Sequence, residues 1–334
     1  MSISIALLVF FVCLSVMLLS SEVLVRGLTV LGAKRHWTDG FLGLLTAFGA
    51  DAPEISAAVA ALFAGAADLG RGVVLGSNLF NLAMLLGLSA ALAGQVRMRR
   101  QGLALDATVA LLTLLVVAAL LLGLLAPGLV AILLVVLLIP YVVLVSLRPR
   151  HVDHLPLPDG LAHLLAKAAS QVHEEEQDHP QAKESWFTVL LIPVALLVII
   201  IASAWLVHAA LTLSAGWHLP YALVGGVVLA ALTSIPNAYT AVHLAHRGRG
   251  AAVVSATVNS NTINLVVGLA LPALFFGIRG ATSGVALELG WLLGMTVVGL
   301  LLLLPAKGMT RLGGVGMIIL YLLFVVIHLL WPNI

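Results

Sequence analysis

The sequence predicts an all-α polytopic membrane protein of ten transmembrane helices arranged as two inverted five-helix repeats. Three observations carry this reading: a composition too apolar for a water-facing surface, a Lys/Arg distribution that follows a ten-span count, and an internal repeat at constant offset. Of 334 residues, 62% are hydrophobic and 9% charged, with a mean hydropathy of +1.16. A soluble domain carries about 25% charged residues, so a soluble enzyme, a nucleic-acid binder and a disordered chain are excluded. The single cysteine, Cys13, forbids a disulfide framework.

Apolar stretches long enough to cross the hydrocarbon core, about 20 residues each, fall at 3–31, 40–63, 72–95, 103–125 and 127–147. A second set lies at 187–213, 221–244, 251–277, 283–304 and 312–332. Met1-Ser2-Ile3-Ser4 carries no basic residue, so 3–31 reads as a retained span rather than a cleaved signal. The chain thus divides into a first membrane repeat (1–147), a loop (148–186) and a second repeat (187–334).

Alternating spans assign every loop to a side, and the basic residues test the assignment. One side receives Arg26, Lys34, Arg35, Arg97, Arg99, Arg100, Arg148, Arg150, Lys167, Lys183, Arg247, Arg249, Lys307 and Arg311; the other receives only Arg71 and Arg279. The crowded side is expected to be cytoplasmic, in a cell (inner) membrane, with both termini outside. The loop 148–186 holds His151, His154, His163, His173 and His179 with an acidic run at 174–178. Its histidine spacing matches no metal motif, and it reads as a solvated cytoplasmic linker.

Sliding the chain by 183 residues places Pro53 on Pro236, Ser77 on Ser260, Asn78 on Asn261, Asn81 on Asn264 and Leu82 on Leu265. Gly43, Ala47, Ala58, Val59 and Gly65 fall on Gly226, Ala230, Ala241, Val242 and Gly248 without a gap. The copies lie in spans 2–3 and 7–8. Five spans separate them, so they enter the membrane from opposite sides, the plan of secondary transporters whose site sits on broken helices at the midplane. Gly49, Pro53, Gly76 and Pro236 are the expected breakers, each proline freeing a carbonyl for another partner.

Asp51 and Glu54 lie mid-span, three residues apart on one helical face. Each costs about 2.5–3.5 kcal/mol at the bilayer centre, and no basic residue of spans 2, 3, 7 or 8 is placed at their depth. Mobile cations or protons are the expected compensation. Neutral oxygens come from Ser77, Asn81, Thr233, Ser234, Asn237, Ser260 and Asn264. An all-oxygen set suits a hard cation such as calcium, and the lack of His and Cys argues against zinc or copper. Glu22 and Arg26 are expected to pair one turn apart, while Asp106, Glu288, His208 and His328 read as interfacial.

The stretches Gly49-Ala50-Asp51-Ala52-Pro53-Glu54 and Gly76-Ser77-Asn78-Leu79-Phe80-Asn81 resemble the alpha-repeat of the calcium/cation antiporter superfamily, which includes the sodium/calcium exchangers. Thr233-Ser234-Ile235-Pro236-Asn237 with Asn259-Ser260-Asn261-Thr262-Ile263-Asn264 is similar to the partner repeat, and Ser21 to Gly27 fits the end of that family's first helix. The resemblance implies antiport of a divalent cation, calcium first, against sodium or protons by alternating access, with spans 1 and 6 sliding over the core. It implies ligands at Glu54, Ser77, Asn81 and Ser260 and at the backbone carbonyls near Ala47 and Ala230. Thr233 and Ser234 match the hydroxyl pair before the repeat's proline. The chain departs from the pattern in three places: Asn237 replaces the second glutamate, Ala50-Asp51 replaces the first hydroxyl pair, and Asn264 stands where some exchangers carry aspartate.

The expected partners are the lipid bilayer and inorganic cations as cargo, with no cofactor, no nucleic acid and no enzyme activity. The alternatives are a homologous exchanger for potassium, magnesium, manganese or protons, and a non-transporting scaffold. An intramembrane protease lacks both a second mid-span aspartate and a serine with an adjacent histidine base.

Overall fold

The computed structural model describes residues 1–35, 37–146, 186–276 and 283–330. The loop expected at 148–186, with its five histidines, and Arg279 lie outside the described residues, apart from position 186, where a helix begins. The described chain is helical almost throughout. The first repeat comprises α1 (Ile3–Arg35), α2 (Asp39–Ala50), α3 (Ala52–Phe63), α4 (Ala67–Ala93), α5 (Arg100–Leu121) and α6 (Pro127–Ser146). The second comprises α7 (Trp186–Trp217), α8 (Tyr221–His246), α9 (Gly250–Phe276), α10 (Ser283–Leu303) and α11 (Arg311–Leu330). Nine of these are long and apolar enough to cross a membrane, and α2 with α3 forms one further crossing broken at Asp51. This is an integral membrane protein with the ten-span plan of the sequence.

Two corrections to the expected breaks follow. Among the described residues only span 2 breaks into separate helices, whereas α4 continues through Gly76 and α8 through Pro236. Local irregularity appears instead as widened π-helical turns at 82–88, 224–229 and 266–270. The first and last follow the two Ser-Asn-x-x-Asn motifs at matching positions, and such turns frequently mark functional sites. The boundary within the long apolar run 103–147 is set by Gly123, whose φ of 73° suits glycine, and by Pro127 starting α6.

Helices α1 and α7 are 33 and 32 residues long, about 50 Å at 1.5 Å per residue. They exceed the hydrocarbon thickness and must tilt or project. They pack along each other closely enough that a Cβ on Gly27 would lie 2.6 Å from Ile192. Their outer faces carry Leu8, Phe11, Leu19, Leu190, Leu197 and Ile200, all exposed as lipid contacts require. The pair flanks an inner core of α3, α4, α8 and α9.

The loops expected together on the basic side do meet. Strand β1 (Gln95–Val96) pairs antiparallel with β2 (Met309–Thr310), the backbone of Arg97 lies against Gly250, and the Thr38 hydroxyl donates to the Ser146 carbonyl at 3.1 Å. At the other face Phe63 and Phe276 stack edge to face 4.7 Å apart, and Arg71 pairs with Asp68.

The candidate cation site

The local sequence explains why α2 stops and α3 starts at Asp51. Pro53 lacks the N–H that would bond the Gly49 carbonyl and is tolerated in the first turn of a new helix. Asp51 is therefore the C-cap of α2 and the N-cap of α3 at once. Glu54 follows in the first turn of α3, where the helix N-terminus supplies about half a positive charge. Both acids sit on that favourable end, 1% and 0% exposed.

The carbonyl freed by Pro53 does not face a vacant site. Gly49 O accepts the Ser21 hydroxyl of α1 at 2.9 Å, a partner the sequence reading missed because it comes from 28 residues upstream. Ser21→Ala should cost about 1 kcal/mol of stability by orphaning that carbonyl, readable as a lowered melting temperature with cation-binding affinity nearly unchanged.

The two repeats meet at their Ser-Asn-x-x-Asn motifs. The Asn78 amide donates to the Asn261 carbonyl at 3.1 Å, and Asn261 returns the same bond to Asn78 at 3.1 Å. These positions are equivalent at the offset of 183, so the pseudo-twofold axis passes between them. Asn81 donates to the Ser260 hydroxyl at 2.9 Å, and its mate Asn264 donates to Ser77 at 3.4 Å. The same axis relates the acids to their donors. Ser234 donates to Glu54 Oε1 at 2.8 Å, while Asn237 donates to Asp51 Oδ1 at 2.9 Å. Residues 51 and 234, and 54 and 237, are repeat equivalents, so the acids of one repeat are each held by a neutral residue of the other. Ser260 adds a second bond to Asp51 Oδ1 at 2.7 Å.

The structure thus gathers Asp51, Glu54, Ser77, Asn81, Ser234, Asn237, Ser260 and Asn264 around one centre. Thr233 is buried beside Glu54, close enough to interact with its carboxylate, with its hydroxyl also on the Leu229 carbonyl at 2.9 Å. The carbonyls of Ala47 and Ala230 accept helical or side-chain donors, from Asp51 N–H at 2.9 Å and from the Thr233 hydroxyl at 3.4 Å. Five acceptors at or beside the centre have no donor: Asp51 Oδ2, Glu54 Oε2, Asn78 Oδ1, Asn81 Oδ1 and Asn264 Oδ1. Among the described residues, no Lys or Arg nitrogen lies within 4 Å of either acid.

A cavity of about 410 Å³ leads from the basic face to Asp51 between α1, α2, α8 and α9, with Ser260 and Asn237 also on its wall. On the opposite side α4 and α8 touch backbone to backbone, and a larger cavity of about 720 Å³ between α2, α3 and α7 passes Ala52, Ile55 and Ser56 without being lined by either acid. A Cβ on Gly76 would fall 2.0 Å from the Gly226 carbonyl oxygen. The equivalent crossing in the other half pairs Gly43 with Asn259, and both line the open cavity. Of these two cavities, the one from the basic face is the one that reaches an acid.

Several polar residues read as interfacial are buried instead. Asp106 is 3% exposed, accepting Ser255 at 2.8 Å, with the Tyr141 hydroxyl 3.5 Å away and donating to Asn259 at 2.8 Å. Glu288 and His328 are 4% and 5% exposed and lie 3.6 Å apart. These partners come from other helices, which is why position within a span did not reveal the burial. Glu22 and Arg26 pair as expected, at 2.5 Å.

The family model for the sodium/calcium exchanger protein matches residues 5–148 and 187–330, one segment per repeat. A sodium/potassium/calcium exchanger 1 from Bos taurus is 33% identical over 116 residues, covering 32% of this chain and 10% of the relative. The exchanger Nckx30C of Drosophila melanogaster is 31% identical over 121 residues, covering 34% and 14%. The chain thus spans about a tenth of the length of the first of these curated relatives. Among solved structures, the sodium-calcium exchanger NCX_Mj superposes with a TM-score of 0.59 at 18% identity, covering 97% of this chain and 99% of that one. Native YfkE gives 0.64 at 14% identity, covering 96% and 90%. These low identities speak to the fold alone. The matched model, falling on both halves of a chain whose halves meet across a pseudo-twofold axis, shows that the protein belongs to the sodium/calcium exchanger family.

Proposed function

We propose that the chain is a secondary antiporter that exchanges a divalent cation, calcium by chemistry, for sodium or protons. Alternating access runs through the centre between α2, α3, α4, α8 and α9. The observation that carries this reading is the set of five donorless acceptor oxygens, two on the buried carboxylates and three on the asparagines of the repeat motifs. A buried acceptor without a donor loses about 1–3 kcal/mol, more when charged, so five at one centre call for a cation. Six to eight oxygen ligands satisfy calcium, and Asp51, Glu54, Ser77, Asn81, Ser260 and Asn264 supply them, with Thr233, Ser234, Asn237 and the carbonyls of Ala47 and Ala230 close behind. Two negative charges balance one divalent ion or two monovalent ions, which gives exchange its electrostatic basis.

The exchangers of animals and NCX_Mj support this reading by name and fold, and the positive-inside rule orients it. The termini would face outward, with the basic face and the loop 148–186 in the cytoplasm of a cell whose inner membrane holds the protein.

Binding alone tests the site. A ligand that binds only the folded state stabilises it by RT ln(1 + [L]/Kd), about 2.7 kcal/mol at one hundred times Kd. Detergent-purified protein should therefore melt at progressively higher temperature as calcium rises, and sodium should compete that shift away. A melting temperature indifferent to calcium, sodium and pH alike would leave a scaffold rather than a transporter.

A further inference from the structure

The cavity in front of Asp51 is lined by three charged residues: Asp51 at its base, and Glu22 and Arg249 on its walls. Glu22 is already neutralised by Arg26 at 2.5 Å. Among the described residues no acid lies within 4 Å of Arg249, and its Nε is buried without a hydrogen-bond partner. It is also the N-cap of α9, so its guanidinium adds to the partial positive charge of a helix N-terminus. A cation moving through this cavity to Asp51 passes the positive charge of Arg249, which has no acid within 4 Å among the described residues.

We propose that Arg249 is a specificity-determining residue, a one-sided charge filter that weakens cation binding from the basic face in proportion to valence. This rests on the transport reading above and adds to it a named residue and a sidedness. Coulomb energy is linear in ion charge. The factor by which Arg249 raises the half-saturating concentration of a divalent ion is therefore the square of its factor for a monovalent ion. At a separation of about 10 Å in water the factors are about twofold for a monovalent and about fourfold for a divalent cation. They shrink as inert salt shortens the screening length. Per ion, the filter thus penalises a divalent cation at the basic face more than a monovalent one, while one divalent and two monovalent ions together meet the same total cost. The far side of the site carries no counterpart, since the repeat equivalent of Arg249 is Ala66.

The test is flux of calcium and of sodium into right-side-out and everted membrane vesicles containing the full chain, comparing wild type, Arg249→Gln and Arg249→Lys. Arg249→Gln should lower KM from the basic face about fourfold for calcium and about twofold for sodium. KM from the opposite face should stay unchanged, which also reports intact folding, and Arg249→Lys should behave as wild type. Choline chloride at high concentration should erase the difference. Equal changes at both faces, the same factor for both valences, or no change with wild-type flux present would overturn the filter alone. Absence of cation flux in wild type would overturn the transport reading and the filter with it.

Discussion

Glu54→Gln reconstituted in liposomes should lose gradient-driven calcium flux by about 100-fold or more, the factor equivalent to the 2.5–3.5 kcal/mol that separates a compensated from an uncompensated charge in the membrane. The substitution preserves volume and leaves one oxygen to accept the Ser234 hydroxyl, so packing does not account for the loss. What changes is the second oxygen, Glu54 Oε2, which faces the centre without a donor. Glutamine puts either an N–H donor or a neutral carbonyl there, and removes one of the two charges that balance a divalent ion. A bound divalent cation would then carry a net buried positive charge.

The same reasoning predicts a divergence that separates a ligand from a structural residue. Without cations, the glutamine protein should be as stable as wild type or more so, because a buried uncompensated carboxylate is costly. It should lose the melting shift induced by calcium. A structural glutamate would give the reverse: reduced stability with the calcium response kept. Undiminished flux in Glu54→Gln would remove Glu54 from the site. Asp51→Asn should lose flux in the same way: an amide oxygen can keep the bonds that Asp51 Oδ1 accepts from Asn237 and Ser260, while the donorless Oδ2 loses its charge.

Much of this centre was legible in the sequence because symmetry made it redundant. The offset of 183 identified the equivalent pairs before any geometry was known, and the structure joins those same positions by reciprocal bonds between Asn78 and Asn261. The displaced acid was legible too: Asp51 for a hydroxyl in one repeat and Asn237 for an acid in the other are now seen to touch. What escaped were features the repeat does not double. Ser21 has Ala204 at its equivalent position, so nothing marked it as the partner of the Gly49 carbonyl. The unbroken course of α8 through Pro236 was hidden because a proline lowers helix stability without stating whether neighbouring helices hold the chain straight. Asp106 and Glu288 fall within two turns of a helix start, where hydropathy cannot separate solvation from burial; Tyr141, Ser255 and His328 make the difference from distant segments.

Gly76→Ala should place its methyl group in the tightest backbone contact found for a glycine among the described residues. Small residues let membrane helices approach closely, and at the α4–α8 crossing the approach is backbone on backbone. The added Cβ would meet the Gly226 oxygen at 2.0 Å and its carbonyl carbon at 2.5 Å, and neither is the end of a flexible side chain. Gly72 and Gly225 flank the contact under similar restraint, at 2.7 Å from the Ala222 oxygen and 2.3 Å from the Leu69 oxygen. The helices must therefore separate by more than 1 Å along the crossing, and Ser77 and Asn81 ride on the helix that moves. Overpacking of this kind costs about 1–3 kcal/mol or more, a melting temperature lower by roughly 1–4 °C or more for a chain of this length. The widened crossing should also appear as increased cysteine-reagent access to the centre from the face opposite the basic one, measured on a cysteine placed at Ala230 in otherwise cysteine-free protein. Gly290→Ala is the control: nothing lies within 4 Å of its would-be Cβ in α10, and alanine there should gain up to about 1 kcal/mol of helix stability. If Gly76→Ala melts and admits the reagent as Gly290→Ala does, then the α4–α8 contact is not what limits access from that face.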